Sequence, residues 1–298
     1  MIPGRGAAAV LLVLLAAATT ATAAPTAEER QAEYRAAAQA AFKASTAGPA
    51  DIALADQAVL KLPAGMRFIP HSEADGLMVA MGNTASERTL GLVTPAGDEG
   101  DWLVLAEFQP AGYIKEDDAK DWNVDELFKQ LKEGTEEANK MRAERGIPAL
   151  EVLGWIEKPR YDAATHRLVW SMAARNQGET DEAQQGVNYI TSALGRDGYI
   201  SLDLITGRPR IEADKAVAQT LLSALQYKDG KRYADFNAKT DHVAEYGLAA
   251  LVAGVAAKKL GFFALAAAFG IKFAKLIAIG VAAVGATFAK LFHRKPAA

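Results

Sequence analysis

Residues 151–206 read EVLGWIEKPRYDAATHRLVWSMAARNQGETDEAQQGVNYITSALGRDGYISLDLIT, and this stretch decides the fold. Side chains alternate in residues 167–174, with Leu168, Trp170 and Met172 on one face, which predicts a strand. Three further strands are predicted at residues 152–157, 186–194 and 199–205. The Asp197-Gly198 pair is typical of a tight turn between the last two strands. The stretch therefore predicts an antiparallel meander of three strands, preceded by the strand at residues 152–157.

Helices are predicted on both sides of this meander in the sequence. Their residues are 27–45, 72–81, 124–145 and 213–227. Asn123 and Glu126 form a helix-start signature, and Ser72 with Asp75 resembles a capping box. Shorter strands are predicted at residues 52–62, 66–69, 90–93 and 102–108. The order of these elements predicts an α+β fold, an antiparallel sheet with flanking helices.

The two ends of the chain are apolar in different ways. Residues 1–23 carry Arg5, an uncharged run and the small-residue step Ala21-Thr22-Ala23, which predicts a cleaved signal peptide. Residues 243–298 are rich in Ala, Gly, Leu, Ile and Phe, which predicts a helical membrane tail. Residues 24–242 between them have the length of one exported domain.

Charge separates the domain from the tail. The tail holds seven Lys or Arg residues against Glu245, whereas the whole chain has a formal net charge of −3. Residues 24–242 are therefore strongly acidic, which makes nucleic acid an unsuitable partner, and the basic tail favours anionic lipid. The chain contains no Cys, which excludes disulfides, thiol catalysis and cysteine-ligated metal.

Within the tail, residues 272–291 are the best candidate for a membrane span. Lys275 and Lys290 lie at the ends of an apolar run and are expected at the two membrane interfaces. Arg294 and Lys295 follow, and their charge favours a cytoplasmic position. The four lysines between residues 258 and 275 oppose this preference, so the orientation depends mainly on the predicted signal peptide. The tail is predicted to anchor the protein in the inner membrane with its main domain in the periplasm.

Small residues recur along the tail at spacings of three and four. The series is Gly247, Ala250, Gly254, Ala257, Gly261, Ala264 and Ala268. Such a seam allows two helix backbones to approach closely, on the anchor helix or on a second copy of the chain. An Ala-rich composition alone explains the series equally well.

Five segments of the chain form a recognisable set of motifs: Gly154-Trp155, Pro159-x-Tyr161-Asp162-x-x-Thr165-His166-x-Leu168-x-Trp170, Asn188-Tyr189, Leu194-Gly195-Arg196-x-Gly198 and Ala244-Glu245-Tyr246-Gly247-Leu248-Ala249-Ala250. With these motifs the chain resembles the family catalogued as domain of unknown function 2167, described as uncharacterised membrane-anchored proteins. The resemblance implies an exported domain with a carboxy-terminal anchor. It implies no activity.

Few residues are candidates for chemistry. Asp162 and His166 could form an acid/base pair, but a turn at residues 162–165 needs the aspartate in any case. His71, Glu73 and Asp75 are spread around a helix start, which disfavours a metal site. The motifs of serine hydrolases, zinc proteases, P-loop proteins and dinucleotide-binding proteins are absent from the sequence. No cofactor or metal is expected.

Three functional classes remain open. The first is a non-catalytic binding or assembly module of the cell envelope, with lipid and possibly another envelope protein or a second copy as partners. The second is an anchored periplasmic hydrolase that uses carboxylates or the Asp162/His166 pair. The third and weakest is a membrane-active protein whose lysine-punctuated helices insert into lipid.

Overall fold

The computed structural model describes residues 27–253, apart from residues 82, 84, 98, 99, 121 and 145–147. The predicted signal peptide (residues 1–23) and the predicted span (residues 272–291) lie outside the described residues. No helix in the described part of the chain combines the length and the apolar character that a membrane crossing requires.

The fold is built on an eight-stranded antiparallel sheet with the order β1-β4-β5-β6-β10-β9-β8-β7. Its strands are β1 (Thr46–Ala47), β4 (Met66–Pro70), β5 (Thr89–Pro95), β6 (Leu103–Gln109), β7 (Leu150–Asp162), β8 (Arg167–Asn176), β9 (Gly186–Leu194) and β10 (Tyr199–Gly207). The predicted meander is confirmed, since β7, β8, β9 and β10 pair in chain order. The predicted strand at residues 152–157 is one part of β7, a long edge strand with several register shifts.

A second sheet of three strands, in the order β11-β3-β2, packs near the first. Its members are β2 (Ala50–Leu54), β3 (Ala58–Leu62) and β11 (Leu225–Tyr227). The sequence pattern suggested one strand over residues 52–62, but this stretch is a hairpin. Ala55 turns the chain with φ 51°, a conformation that side-chain periodicity does not show.

Five α-helices in the described part of the chain cover the two faces of the large sheet. They are α1 (Ala27–Ala44), α2 (His71–Ala80), α3 (Val124–Glu144), α4 (Ile211–Ala224) and α5 (Leu248–Ala253). Helix α4 and the small sheet enclose one core cluster, which contains Leu202 and Leu221. On the opposite face, α1 and α2 cover one half of the sheet, and α3 with α5 covers the other half. The predicted antiparallel sheet with flanking helices is confirmed.

The two predicted helix starts have different outcomes. Asn123 caps α3, because its side-chain oxygen accepts hydrogen bonds from the backbone N–H groups of Asp125 and Glu126. The capping box predicted for α2 is wrong. That helix begins at His71, one residue earlier, after Pro70, which supplies no side-chain cap. Asp75 instead accepts a hydrogen bond from the backbone N–H of Ser86.

Candidate functional site

The turn between β7 and β8 is built by Asp162. One carboxylate oxygen accepts a hydrogen bond from the Ala164 backbone N–H at 3.0 Å, and the other accepts one from the Thr165 hydroxyl at 2.7 Å. The Thr165 hydroxyl, and after it the Ala164 amide, holds the pKa of the Asp162 carboxyl below its usual value. Both oxygens of Asp162 are therefore committed to the turn.

The carboxylate that faces His166 belongs to Glu116. His166 follows the turn with φ 52°, and its Nδ1 lies 3.2 Å from Oε2 of Glu116. Asp162 and His166 are both described, and they share no hydrogen bond. The predicted Asp162/His166 pair is thus not formed, because Asp162 is engaged by its own turn and the histidine contacts a residue 50 positions earlier.

Tyr161 completes this contact. Its hydroxyl donates a hydrogen bond to the same Glu116 oxygen and lies 3.4 Å from Nδ1 of His166. Burial, and after it the hydrogen bond to Glu116, raises the pKa of Tyr161 far above its usual value. The side chains of His166 and Glu116 are about one-third exposed, at 30% and 33%. We call Glu116, Tyr161 and His166 the histidine cluster.

The arrangement leaves one ring nitrogen of His166 uncommitted. Nδ1 faces the carboxylate, and Nε2 has no hydrogen-bond partner among the residues that the structure describes. A carboxylate on one imidazole nitrogen orients the ring and fixes its tautomer. The histidine cluster could therefore bind a polar group or transfer a proton through Nε2.

A stack of four rings holds the histidine cluster in place. The ring centroid of His166 lies 4.2 Å from that of Tyr233, Tyr233 lies 4.4 Å from Tyr113, and Tyr113 lies 3.8 Å from Phe236. The hydroxyl of Tyr233 donates a hydrogen bond to the carbonyl of Ile114 at 2.7 Å. The stack fixes the chain just before Glu116.

The same segment holds the start of the tail. We call residues 113–120 the acidic loop. The backbone of Tyr113 donates a hydrogen bond to the His242 carbonyl and accepts one from the Ala244 N–H, both at 2.8 Å. The oxygens of Asp118 accept hydrogen bonds from the backbone N–H groups of Leu248, at 3.0 Å, and Ala249, at 2.9 Å. Glu116 and Asp118 therefore both make specific contacts with distant parts of the chain.

Apolar packing continues this attachment. Leu248, Leu251, Val252 and Ala253 of α5 are buried in the same core cluster as Leu127 of α3. The sequence placed the start of the tail at Val243. The structure shows that residues 243–253 pack on the domain.

The predicted tail seam is described only at its start. Gly247 lies against Asp118, and Ala250 is partly buried in α5. The other seam residues lie outside the described residues, as do the predicted interface residues. These are Gly254, Ala257, Gly261, Ala264 and Ala268 of the seam, and Lys275, Lys290, Arg294 and Lys295 of the interface. The seam and the interface positions stay predictions.

His71, the histidine considered for metal binding, contacts the backbone of a neighbouring strand. Nδ1 of His71 lies 2.6 Å from the carbonyl of Thr89. Among the described residues, no group of three or more His, Cys, Asp or Glu side chains is arranged to hold a metal ion.

Asp203 is a buried carboxyl that sequence reasoning missed. It lies on β10 and is 8% exposed, and Ser201 donates a hydrogen bond to its Oδ1 at 2.5 Å. Its register partners on the neighbouring strands are Leu105 and Ile190. Burial raises the pKa of Asp203 to about 7. The Ser-x-Asp spacing in a strand put both side chains on one face and was the available signal.

The chain matches the family model "Protein of unknown function (DUF2167)" over residues 46–285. It belongs to this family. The DUF2167 match starts at β1 and ends in the tail, so it covers the histidine cluster, the acidic loop and α5 together. The family description names no activity.

Comparison with solved structures finds a similarity at low identity. The solution structure of cyanobacterial PsbP (CyanoP) from Synechocystis sp. PCC 6803 aligns with 14% identity and a TM-score of 0.37. The alignment covers 62% of this DUF2167 chain and 91% of the PsbP chain. No curated protein matches the chain.

Proposed function

We propose that this protein is anchored in the inner membrane of a bacterial envelope by its carboxy-terminal tail. Its domain faces the periplasm and acts as a non-catalytic binding or assembly module. The signal-like residues 1–23 support export, and the apolar tail with Lys275 and Lys290 supports anchoring.

The observation that carries this proposal is the attachment of the tail to the domain. Tyr113 holds residues 242–244 through backbone hydrogen bonds, and Asp118 holds the first turn of α5. The attachment places the start of the tail on one defined surface of the domain, beside α3 and the acidic loop. A defined attachment surface suits contact with a partner at the membrane, whereas a flexible linker would be sufficient for an enzyme.

The partners follow from charge and composition. The tail contacts membrane lipid, and its lysines favour anionic headgroups. The acidic domain contacts another envelope protein, or the tail seam contacts a second copy of the chain. Nucleic acid is not a partner, because the domain would repel its phosphates.

Affinity capture tests the proposal. The complete chain is purified from detergent-solubilised membranes of the cells that express it, beside a chain that ends at Ala253 and a Gly254→Leu/Gly261→Leu double variant. We expect a reproducible partner with the complete chain and loss of that partner with the chain that ends at Ala253. If the double variant alone loses a self-association, the partner is a second copy. Absence of any partner in repeated captures contradicts the proposal.

An anchored hydrolase is the second candidate, and the Glu116–His166 contact favours it. A carboxylate on Nδ1 would allow Nε2 to act as a general base toward water. The test compares hydrolysis of ester, peptide and glycoside substrates by the wild type, Glu116→Gln and His166→Gln. Turnover that falls at least about 100-fold in both variants would favour the enzyme over the binding module.

A further inference from the structure

The acidic loop contacts two distant parts of the chain through side chains that lie two residues apart. Glu116 contacts His166 and Tyr161 in the β7–β8 hairpin. Asp118 contacts the backbone of Leu248 and Ala249 in α5. One short segment thus joins the histidine cluster to the start of the tail.

The segment between these contacts is tightly wound. Residues Asp117–Lys120 form a 3₁₀ helix, and the Ala119 N–H donates a hydrogen bond to the Glu116 carbonyl at 3.1 Å. This hydrogen bond closes the turn around the backbone that joins the two carboxylate residues, which gives a route by which a shift of Asp118 can reach Glu116.

The tail approaches Asp118 too closely for a side chain at Gly247. A Cβ built on Gly247 would lie 2.5 Å from Oδ2 of Asp118. Glycine at this position allows the backbone to lie against the carboxylate. Any displacement of residues 247–249 therefore changes the environment of Asp118.

Helix α5 has two possible apolar environments. Leu248, Leu251 and Val252 are buried against the domain, but they also belong to the uncharged run at residues 247–257. A bilayer can bury the same side chains without water contact. An element with two environments of similar polarity is able to exchange between two positions.

We infer that the position of the tail controls the histidine cluster. When α5 leaves the domain, Asp118 loses its hydrogen bonds to Leu248 and Ala249. The acidic loop then shifts and Glu116 separates from His166, which exposes both side chains. The inference rests on the proposed function, because it takes the membrane-anchored tail as the element that moves. The histidine cluster would then report the state of the anchor to a partner of the domain.

Chemical labelling of the complete mature chain in detergent micelles tests this inference. Gly247→Ala pushes Asp118 away from α5, and Asp118→Asn removes one of its two acceptor oxygens. The matched controls are Gly76→Ala, where an added Cβ meets nothing within 4 Å, and Asp117→Asn, which removes an exposed neighbouring charge. Mass spectrometry measures carbodiimide labelling of Glu116, pyrocarbonate labelling of His166 and hydrogen exchange of α5.

We expect both test variants to raise labelling of Glu116 and His166 by about fivefold or more, with the controls unchanged. Coupling is reciprocal, so Glu116→Gln should raise amide exchange at Leu248 and Ala249, whereas the surface variant Glu151→Gln should not. Unchanged labelling in variants whose α5 exchange is raised would overturn the inference.

If Gly247→Ala and Asp118→Asn unfold the domain, amide exchange in the Glu116→Gln variant alone tests the inference. Normal exchange at Leu248 and Ala249 in that variant also overturns the inference. Affinity capture of a partner is a separate measurement, so the proposed function can hold when the coupling fails.

Discussion

Asp118 is hydrogen-bonded to the backbone of Leu248, a residue 130 positions later in the chain. The contact satisfies an N–H group that the first turn of a helix leaves without an intrahelical partner. It also brings an anionic side chain to the positive end of the helix. The apolar tail therefore starts inside the folded domain.

Residues 243–253 are expected to contribute strongly to stability. A domain that ends at Ala253 should be several kcal/mol more stable than one that ends at His242, since burial of Leu248, Leu251 and Val252 contributes about 1.5–3 kcal/mol each. Urea unfolding followed by circular dichroism measures the difference. Leu251→Ala in the longer chain should lose part of this stabilisation, because Leu251 is one of the buried side chains. Equal midpoints for the two chains would contradict the packing of α5.

Asp203 should make stability depend on pH. Its pKa is about 7 in the folded protein, against 3.8 for an aspartate in water, so the folded protein retains this proton more strongly than the unfolded chain. The contribution is fully present below about pH 4 and is lost as the pH rises toward 7. Asp203→Asn keeps an acceptor for Ser201 and stays neutral. It should remove this dependence and stabilise the protein by up to a few kcal/mol above pH 7, at about 1.4 kcal/mol per pKa unit.

Urea unfolding between pH 4.5 and 8.5 tests the role of Asp203. The exposed Asp51 provides the matched variant, Asp51→Asn, which should change stability by no more than about 0.5 kcal/mol. Parallel stability profiles of the wild type and Asp203→Asn would show that the buried carboxyl does not titrate in this range.

Asp214 joins the end of β10 to the start of α4. Its buried carboxylate accepts hydrogen bonds from the Thr206 hydroxyl at 2.5 Å and from the Arg210 guanidinium. Asp214→Ala leaves the Thr206 hydroxyl unpaired and should cost about 1–3 kcal/mol. Glu212→Ala, at an exposed position of the same helix, should cost less than about 0.5 kcal/mol. Thermal and urea unfolding compare the two; similar losses would refute the role of Asp214.

The backbone of His166 should tolerate some residues and reject others. At φ 52° a β-branched residue is strained, whereas Asn adopts this conformation readily. His166→Val should therefore be less stable than His166→Asn by about 1–3 kcal/mol. Both variants lose the stack on Tyr233, so their difference in urea unfolding isolates the backbone. An equal loss in both would assign the cost to the ring alone.

Local patterns in the sequence predicted most of the elements. Helix α3 is predicted at residues 124–145, and the structure has it at Val124–Glu144. Its start was predictable because the cap at Asn123 is a local signal. The meander was predictable because Asp162 and Asp197-Gly198 mark its turns. The sequence pattern predicts one strand over residues 52–62 instead of two, because the turn at Ala55 contains no Gly, Pro or Asn to mark it.

Long-range contacts were not predictable from one sequence. Glu116 and His166 are 50 positions apart, and no periodicity relates an acidic loop to a distant turn. The nearby Asp162 was a reasonable partner for His166 until the turn was seen to use both of its oxygens. The contact of Asp118 with α5 depends in the same way on tertiary structure.

Fractionation of cells that express the complete chain tests the central claim most directly. Because the chain has no Cys, Asp229→Cys, at a 92% exposed site, gives a single label position in the domain. We expect the mature protein to remain in the membrane pellet after an alkaline carbonate wash, and Cys at this position to react with an impermeant maleimide in spheroplasts. Recovery of the complete mature chain from the soluble periplasmic fraction, without detergent, would contradict the account.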